Sequence, residues 1–228
     1  MLRFFDIILS FIAIVLFLPF FLIISVVLLC TGEHQVLYLQ NRVGRGMKLF
    51  KVFKLTTMMK NSEKMEGGEI THEHDPRVLP IGAFLRRTKL NELPQLINIL
   101  KGDMSFVGHR PLVPSQFGMY SEEIQQKLAT IKPGLSGIGS IIFRDEEHLM
   151  SFSELGYNEC FEKIITPYKG ELEVWYTENM SIWNYIKIIL LTFVVLFKPD
   201  ANILKSVYPQ LPKPNQAMSD LLKKSGRR

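Results

Sequence analysis

The 228-residue chain reads as an α+β fold, mostly helical, in which an N-terminal membrane-inserted helix packs on a small domain with interfacial helices. Three observations predict it. Phe4 to Leu29 is almost unbroken apolar sequence, interrupted only by Asp6, Ser10, Pro19 and Ser25. The stretch "GMKLFKVFKLTTMM" interleaves lysines with Leu49, Phe50, Val52, Phe53 and Leu55, the pattern of a half-buried strand or interfacial segment. Residues 81–101 look helical in two pieces, "IGAFLRRT" and "ELPQLINIL", the second with apolar side chains at 93, 96, 97 and 100.

Composition agrees. The chain is 47% hydrophobic yet 21% charged, so it divides into a lipid-facing part and a globular part. Its net charge of +5 calls for an anionic partner: nucleic acid, a lipid surface or a phosphate-bearing substrate. Cys30 and Cys160 are far apart, which excludes a disulfide framework and a zinc spacing and fits a reducing compartment, with both thiols simply buried.

The apolar run, as one straight helix, reaches roughly 39 Å against a hydrocarbon core of about 30 Å. It lacks the basic leader and small-residue cleavage site of a signal peptide, so it is expected to stay in the mature protein. Pro19 removes one backbone bond and bends the helix. A kinked span and a hairpin that leaves by the face it entered are both open, the span slightly preferred on sequence alone. After it, Arg42, Arg45, Lys48, Lys51, Lys54 and Lys60 occur with no acid among residues 40–60, which puts the body on the cytoplasmic side. Such a strip also attracts anionic lipid, by about 1 kcal/mol per cation near the surface.

Residues 61–80 read as a polar loop, with His72, Glu73, His74 and Asp75 as surface residues rather than a metal site. Residues 121–131 form an amphipathic helix, and "IKPGLSGIGS" then breaks the chain. Residues 144–165 are helical, acidic at first, and 167–178 carry Tyr168, Trp175 and Tyr176. Ile182 to Phe197 is too short for a comfortable span and fits a helix at the interface or docked on the domain. The predicted division is a membrane-inserted element at 1–32, a cytoplasmic body at 33–200 with an interfacial helix near 182–197, and a loose basic tail at 201–228.

The chemistry concentrates in "FLRRTKLNELPQLINILKGDMSFVGHRPL". Asn91 is placed to cap the helix that follows, with Pro94 in its first turn. Arg86, Arg87, Lys89, Arg110 and Lys54 surround Glu92, a set suited to phosphate esters held with a divalent ion. A basic membrane-facing helix whose Glu92 merely completes a cap is an equal reading of the same residues. No helix-turn-helix, zinc knuckle or aromatic-lined basic groove supports nucleic-acid binding.

"KLNELPQLINILKGDMSFVGHRPL", with "FKVFKLTTM" before it and "IKPGLSG" after it, resembles the bacterial sugar transferases, the small monotopic phosphoglycosyl transferases that prime lipid-linked glycans. The resemblance runs to roughly Phe197. It implies transfer of a sugar 1-phosphate from a nucleotide-sugar, usually a UDP-sugar, to polyprenol phosphate with Mg²⁺, releasing UMP. This is a first step of exopolysaccharide, capsule, O-antigen or glycoprotein glycan synthesis at the bacterial inner membrane. It also implies a re-entrant first helix broken at Pro19, with membrane lipid around it, and leaves room for a homodimer and for downstream glycosyltransferases as partners. By motif, Glu92 is the metal-binding acid, and Lys54, Arg86, Arg110 and Lys132 hold phosphate or nucleotide. Arg144 falls near where the family contacts substrate. Lys132 stands for an arginine and loses its bidentate fork. His109 replaces a proline.

Asn91 departs from the family, which has a nucleophilic aspartate there. An amide cannot form an acyl phosphate. Glu92 takes over the attack, or the acceptor attacks the donor directly, or the copy is catalytically degenerate and binds polyprenol phosphate or an active partner. Asp145, Glu146 and Glu147 are candidates for a replacement acid, or else the ordinary acidic first turn of a helix.

Overall fold

Helix α1 (Leu2–Cys30) runs through Pro19 without interruption. The computed structural model describes residues 2–65, 68–197 and 202–226. Only Asp6, Ser10 and Leu28 of α1 are buried, and one stripe lies on the body along its length. Near its start the Arg3 guanidinium donates to the carbonyls of Ile99 and Leu100, and Asp6 Oδ1 accepts from Ser105 Oγ (2.9 Å), the Phe106 amide (3.1 Å) and the Tyr185 hydroxyl (2.8 Å). In its middle, Ala13 and Ile14 pack on Val52, Leu96, Ile99 and Met104. At its end, Phe21, Ile24 and Leu28 pack on Leu55 and Leu85. The rest of its surface is bare hydrocarbon, with Leu16 and Ile23 each 64% exposed. By length and composition it is the one helix among the described residues that could cross a membrane.

Strands β1 (Leu37–Val43) and β2 (Leu49–Leu55) form an antiparallel hairpin, Leu37 opposite Leu55 and Val43 opposite Leu49. The lysine-interleaved segment is therefore a strand, with Val52 and Leu55 turned inward. Then come α2 (Pro80–Arg87), a 3₁₀ turn over Leu90–Glu92 and α3 (Gln95–Lys101). Asn91 lies in the 3₁₀ turn and does not cap α3, which starts from Pro94: the proline's fixed φ already begins the helix.

Strand β3 (Ser105–Val107) pairs in parallel with β4 (Gly134–Ser136), across α4 (Pro114–Phe117) and α5 (Glu122–Leu128). The glycine-rich "breaker" is thus itself a strand. A Cβ at Gly134 would lie 2.1 Å from the Gly108 nitrogen, so the two backbones approach only because both residues lack side chains. Four helices follow: α6 (Ile138–Ile142), α7 (Glu146–Ser151), α8 (Tyr157–Cys160) and, across a π turn over Phe161–Ile165, α9 (Thr166–Glu178). Helix α10 (Ile182–Phe197) docks by Tyr185, Ile188, Leu191 and Val195, while Trp183 (73% exposed), Leu190 and Phe193 stay bare.

Three further expectations fail. The segment after Ala201 is not loose: α11 (Asn202–Val207) and α12 (Gln216–Lys224) bury Leu204, Tyr208, Met218 and Leu221 in the main core, apolar positions that prolines and lysines mask in the sequence. The basic ends Arg227 and Arg228 lie outside the described residues. Cys160 is buried but Cys30, on the last turn of α1, is exposed. Asp75 is not a surface residue; it and Arg77 are both buried, joined at 2.5 Å, which pins the 61–80 loop.

Candidate active site

Two adjoining cavities, of about 470 and 730 Å³, open beside the Leu90–Glu92 turn. The turn is short because Lys89 adopts a left-handed conformation (φ 60°) that ends α2 and throws Asn91 and Glu92 inward. Arg86 comes from the last turn of α2 and Lys54 from β2. Arg110 is fixed by the Gly108 crossing, where a Cβ would fall 2.4 Å from the Lys132 carbonyl oxygen. Glu146 and Glu147 come from the first turn of α7, and Lys169 from α9.

The charges are interlocked. Arg110 meets Glu92 at 3.2 Å, Arg86 meets Glu147 at 2.5 Å, and Lys169 meets both oxygens of Glu146 at 2.9 and 3.0 Å. Burial opposes ionisation of Glu92, but Arg110, Lys54 and Lys89 outweigh it and hold the carboxyl at about 2. Burial pushes Lys54 well below the usual ammonium range, helped by Arg42, Arg110 and Arg86 and resisted by Glu92. Arg42, from β1, is lowered by burial to about 10. Behind the site Glu173 is buried, accepts weakly from the Arg110 amide (3.4 Å) and is raised by burial to about 7.

Asn91 is 8% exposed, lines both cavities, and its Oδ1 has no hydrogen-bond partner. A buried amide oxygen without a donor costs about 1–3 kcal/mol unless something else supplies one. That atom is therefore an acceptor that water or a ligand in the cavities can satisfy.

The structure brings Lys54, Arg86, Asn91, Glu92 and Arg110 together, as the sequence suggests. Arg144 forms part of the wall of the larger cavity, its guanidinium tied to the Val195 carbonyl of α10. Lys132 is not brought in. It precedes β4, and the parallel pairing with β3 leaves it outside both cavities, with Arg3 and Asp6 among the charges it feels. Pro19 sits in mid-α1. His109 is buried behind Arg110, pushed down by burial to about 4 and so neutral, packed 6.4 Å from the Phe117 ring as filler. Lys169, Arg42 and Glu173 are the residues that sequence reasoning misses. For Lys169 the signal is a lysine next to Tyr168 and Leu172 on an otherwise buried helix face.

Among the described residues no group of three or more His, Cys, Asp and Glu is arranged around a metal position. Mg²⁺ needs less than that, because it keeps waters and binds through one or two protein oxygens plus substrate phosphates. An ionised Glu92 and the unpartnered Asn91 Oδ1 fit that demand.

The bacterial sugar transferase profile matches residues 1–199. Over 170 residues the chain is 35% identical to galactosyl transferase CpsE of Streptococcus agalactiae serotype III (strain NEM316), covering 70% of this chain and 34% of that protein. Over 189 residues it is 32% identical to UDP-N-acetylgalactosamine-undecaprenyl-phosphate N-acetylgalactosaminephosphotransferase of Aeromonas hydrophila, covering 82% of this chain and 41% of that one. Exopolysaccharide production protein ExoY of Rhizobium meliloti (strain 1021) is 35% identical over 158 residues, 63% of this chain and 70% of that protein. The chain spans about a third to two fifths of the length of the first two relatives.

Proposed function

The chain belongs to the bacterial sugar transferase family, and from that premise we propose that it moves a sugar 1-phosphate from a UDP-sugar to polyprenol phosphate. The products are a polyprenyl diphosphate-sugar and UMP. The observation that carries this reading is the cleft: Lys54, Lys89, Arg86, Arg110 and Lys169 converge on it, beside a body bearing two bare apolar helices. A diphosphate fits the first feature and a polyprenol chain the second. Lys54, Arg86 and Arg110 share the cleft with Glu92, which favours a working enzyme over a degenerate copy that only binds.

In this reading Arg110 and Lys54 bind the diphosphate and spread its charge as the bond to UMP breaks. Arg86, shared with Glu147, orients the transferred phosphoryl group. Glu92 stays ionised and, with Asn91 Oδ1, would hold Mg²⁺, which would supply neutralisation of the negative charge that develops in the transfer. Lys132 has no role in the cleft.

The bare faces of α1 and α10 enter lipid, and the basic hairpin faces the cytoplasm under the positive-inside rule. Helix α1 touches the same body through Arg3 and Asp6 at its start and through Leu28 at its end. These contacts belong to one unbroken helix lying along the body, with no turn at Pro19, so the re-entrant path rests on the family resemblance and on both helix ends staying with the body.

The test is UMP release across a panel of UDP-sugars, with undecaprenyl phosphate, Mg²⁺ and the full chain in lipid nanodiscs. At least one donor should give acceptor-dependent release. Silence from every donor, by protein that still unfolds cooperatively, defeats the reading.

A further inference from the structure

The transferase reading leaves the chemistry short of a nucleophile, since Asn91 is an amide. A residue that takes a phosphosugar from one ligand and passes it to another must be reachable from both binding spaces. The two cavities meet at a seam, and among the described residues only two carboxylates line both: Glu146 and Glu147. Asn91, with its buried and unpartnered Oδ1, lines the same seam.

The two glutamates are not equivalent. Glu146 gives both oxygens to Lys169, which is 2% exposed and sits over the Phe143 and Phe161 rings at 5.5 and 5.6 Å. It is the counter-ion of a buried cation. Glu147 gives one oxygen, Oε1, to Arg86, and 41% of its side chain is open. Glu92 is pinned by Arg110 at 3.2 Å and flanked by Lys54 and Lys89, cations that hold its carboxyl low. It also reaches only the larger cavity.

We propose that Glu147 is the covalent acceptor, the carboxylate that carries the sugar phosphate between donor and polyprenol phosphate. This rests on the transferase reading. A Glu147 oxygen attacks the sugar-bearing phosphorus of the UDP-sugar. The bond from that phosphorus to the bridging oxygen breaks, and UMP leaves with the electron pair. The product is an acyl phosphate on Glu147, with no change of oxidation state. A phosphate oxygen of polyprenol phosphate then attacks the same phosphorus. The acyl–oxygen–phosphorus link opens at phosphorus, the carboxylate is restored, and the diphosphate product is complete. Arg86 holds the glutamate until the donor binds and is then in place to take the phosphoryl oxygens. The acid thus enters from α7, across the cleft from the turn that bears Asn91.

The experiment uses the full chain in nanodiscs with the donor that supports UMP release. Without acceptor, wild type should release UMP in a burst of up to one per chain, and peptide mass spectrometry should find the phosphosugar on Glu147. Glu147→Gln should abolish the adduct and slow release roughly a thousandfold or more. Asn91→Asp in that background restores a carboxylate to the seam and should raise release at least tenfold, which a merely misfolded variant would not permit. An adduct on Glu92 or Glu146, or Glu147→Gln within tenfold of wild type, overturns the assignment. So does turnover with neither burst nor adduct, which would mean direct attack by the acceptor. A wild type that releases no UMP from any donor defeats the transferase reading itself, and is told apart by that silence.

Discussion

Removing the Asp6 side chain should loosen α1 from the body, and the cost can be worked from three bonds. Ser105 Oγ, the Phe106 amide and the Tyr185 hydroxyl all donate to the one atom Oδ1, at 2.9, 3.1 and 2.8 Å, in a site where Asp6 is 3% exposed. Hydrogen bonds to a carboxylate contribute about 1.5–3 kcal/mol each, and Asp6→Ala strands three donors. Relief of the buried acid's desolvation offsets part of that, leaving a net loss of about 3–5 kcal/mol. Asp6→Asn keeps an oxygen at the Oδ1 position and forfeits only the charge assistance, about 1–2 kcal/mol. For a chain of this size, 1 kcal/mol moves Tm by about 2–4 °C, so the alanine variant should fall by roughly 6–20 °C and the asparagine variant by roughly 2–8 °C. The assay is thermal unfolding of the nanodisc-embedded full chain, followed by circular dichroism. Equal losses for the two variants, or a loss under about 1 kcal/mol for alanine, would show that the triple acceptor is not what anchors the helix.

Glu92→Gln should cut UMP release at least ~100-fold while leaving donor binding intact or tighter, because the cations lose a competitor; unchanged turnover would reassign the acid. Glu173 has its folded pKa raised from 4.5 to about 7 by burial, so its contribution to stability is full below pH 4.5 and lost as pH rises through 7. Tm should therefore decline between pH 5 and 8, and Glu173→Gln should flatten that slope. Gly134→Ala places a Cβ 2.1 Å from the Gly108 nitrogen and should separate β3 from β4, displacing Arg110; intact donor affinity in that variant would contradict the placement.

The sequence carries much of this fold where a pattern repeats. Strand β2 is legible because apolar residues and lysines interleave along its seven residues; Val52 and Leu55, three apart, are then buried on opposite faces in two different clusters. Strands β3 and β4 are not, since three residues cannot display a two-residue period, and what joins them is a glycine crossing. The Asn91 cap is misread because capping and a 3₁₀ turn ask for the same small polar residue, and Pro94 tips the choice. In the cleft, Lys54, Arg86 and Arg110 are legible from the basic residues gathered around Glu92, whereas Lys132, named through the resemblance alone, lies outside both cavities: motif adjacency says nothing about which way a strand carries the preceding residue. Lys169 and the role of Glu146 emerge only when α7 and α9 meet.

The pairing of charges in the cleft explains how so many cations share a partly buried space before substrate arrives. Three of them each have a glutamate: Arg110 with Glu92, Arg86 with Glu147, Lys169 with Glu146. Among the described residues, Lys54 has no carboxylate at ion-pair distance; burial depresses its pKa, and Arg42, Arg110 and Arg86 depress it further against the pull of Glu92. A diphosphate brings the negative charge that Lys54 lacks, so in the proposed function it stabilises the ammonium and draws Arg86 from Glu147. Release of that glutamate is what the proposed acyl transfer requires. Donor binding and exposure of the nucleophile are then one electrostatic exchange, in which substrate oxygens replace a protein carboxylate on the same guanidinium.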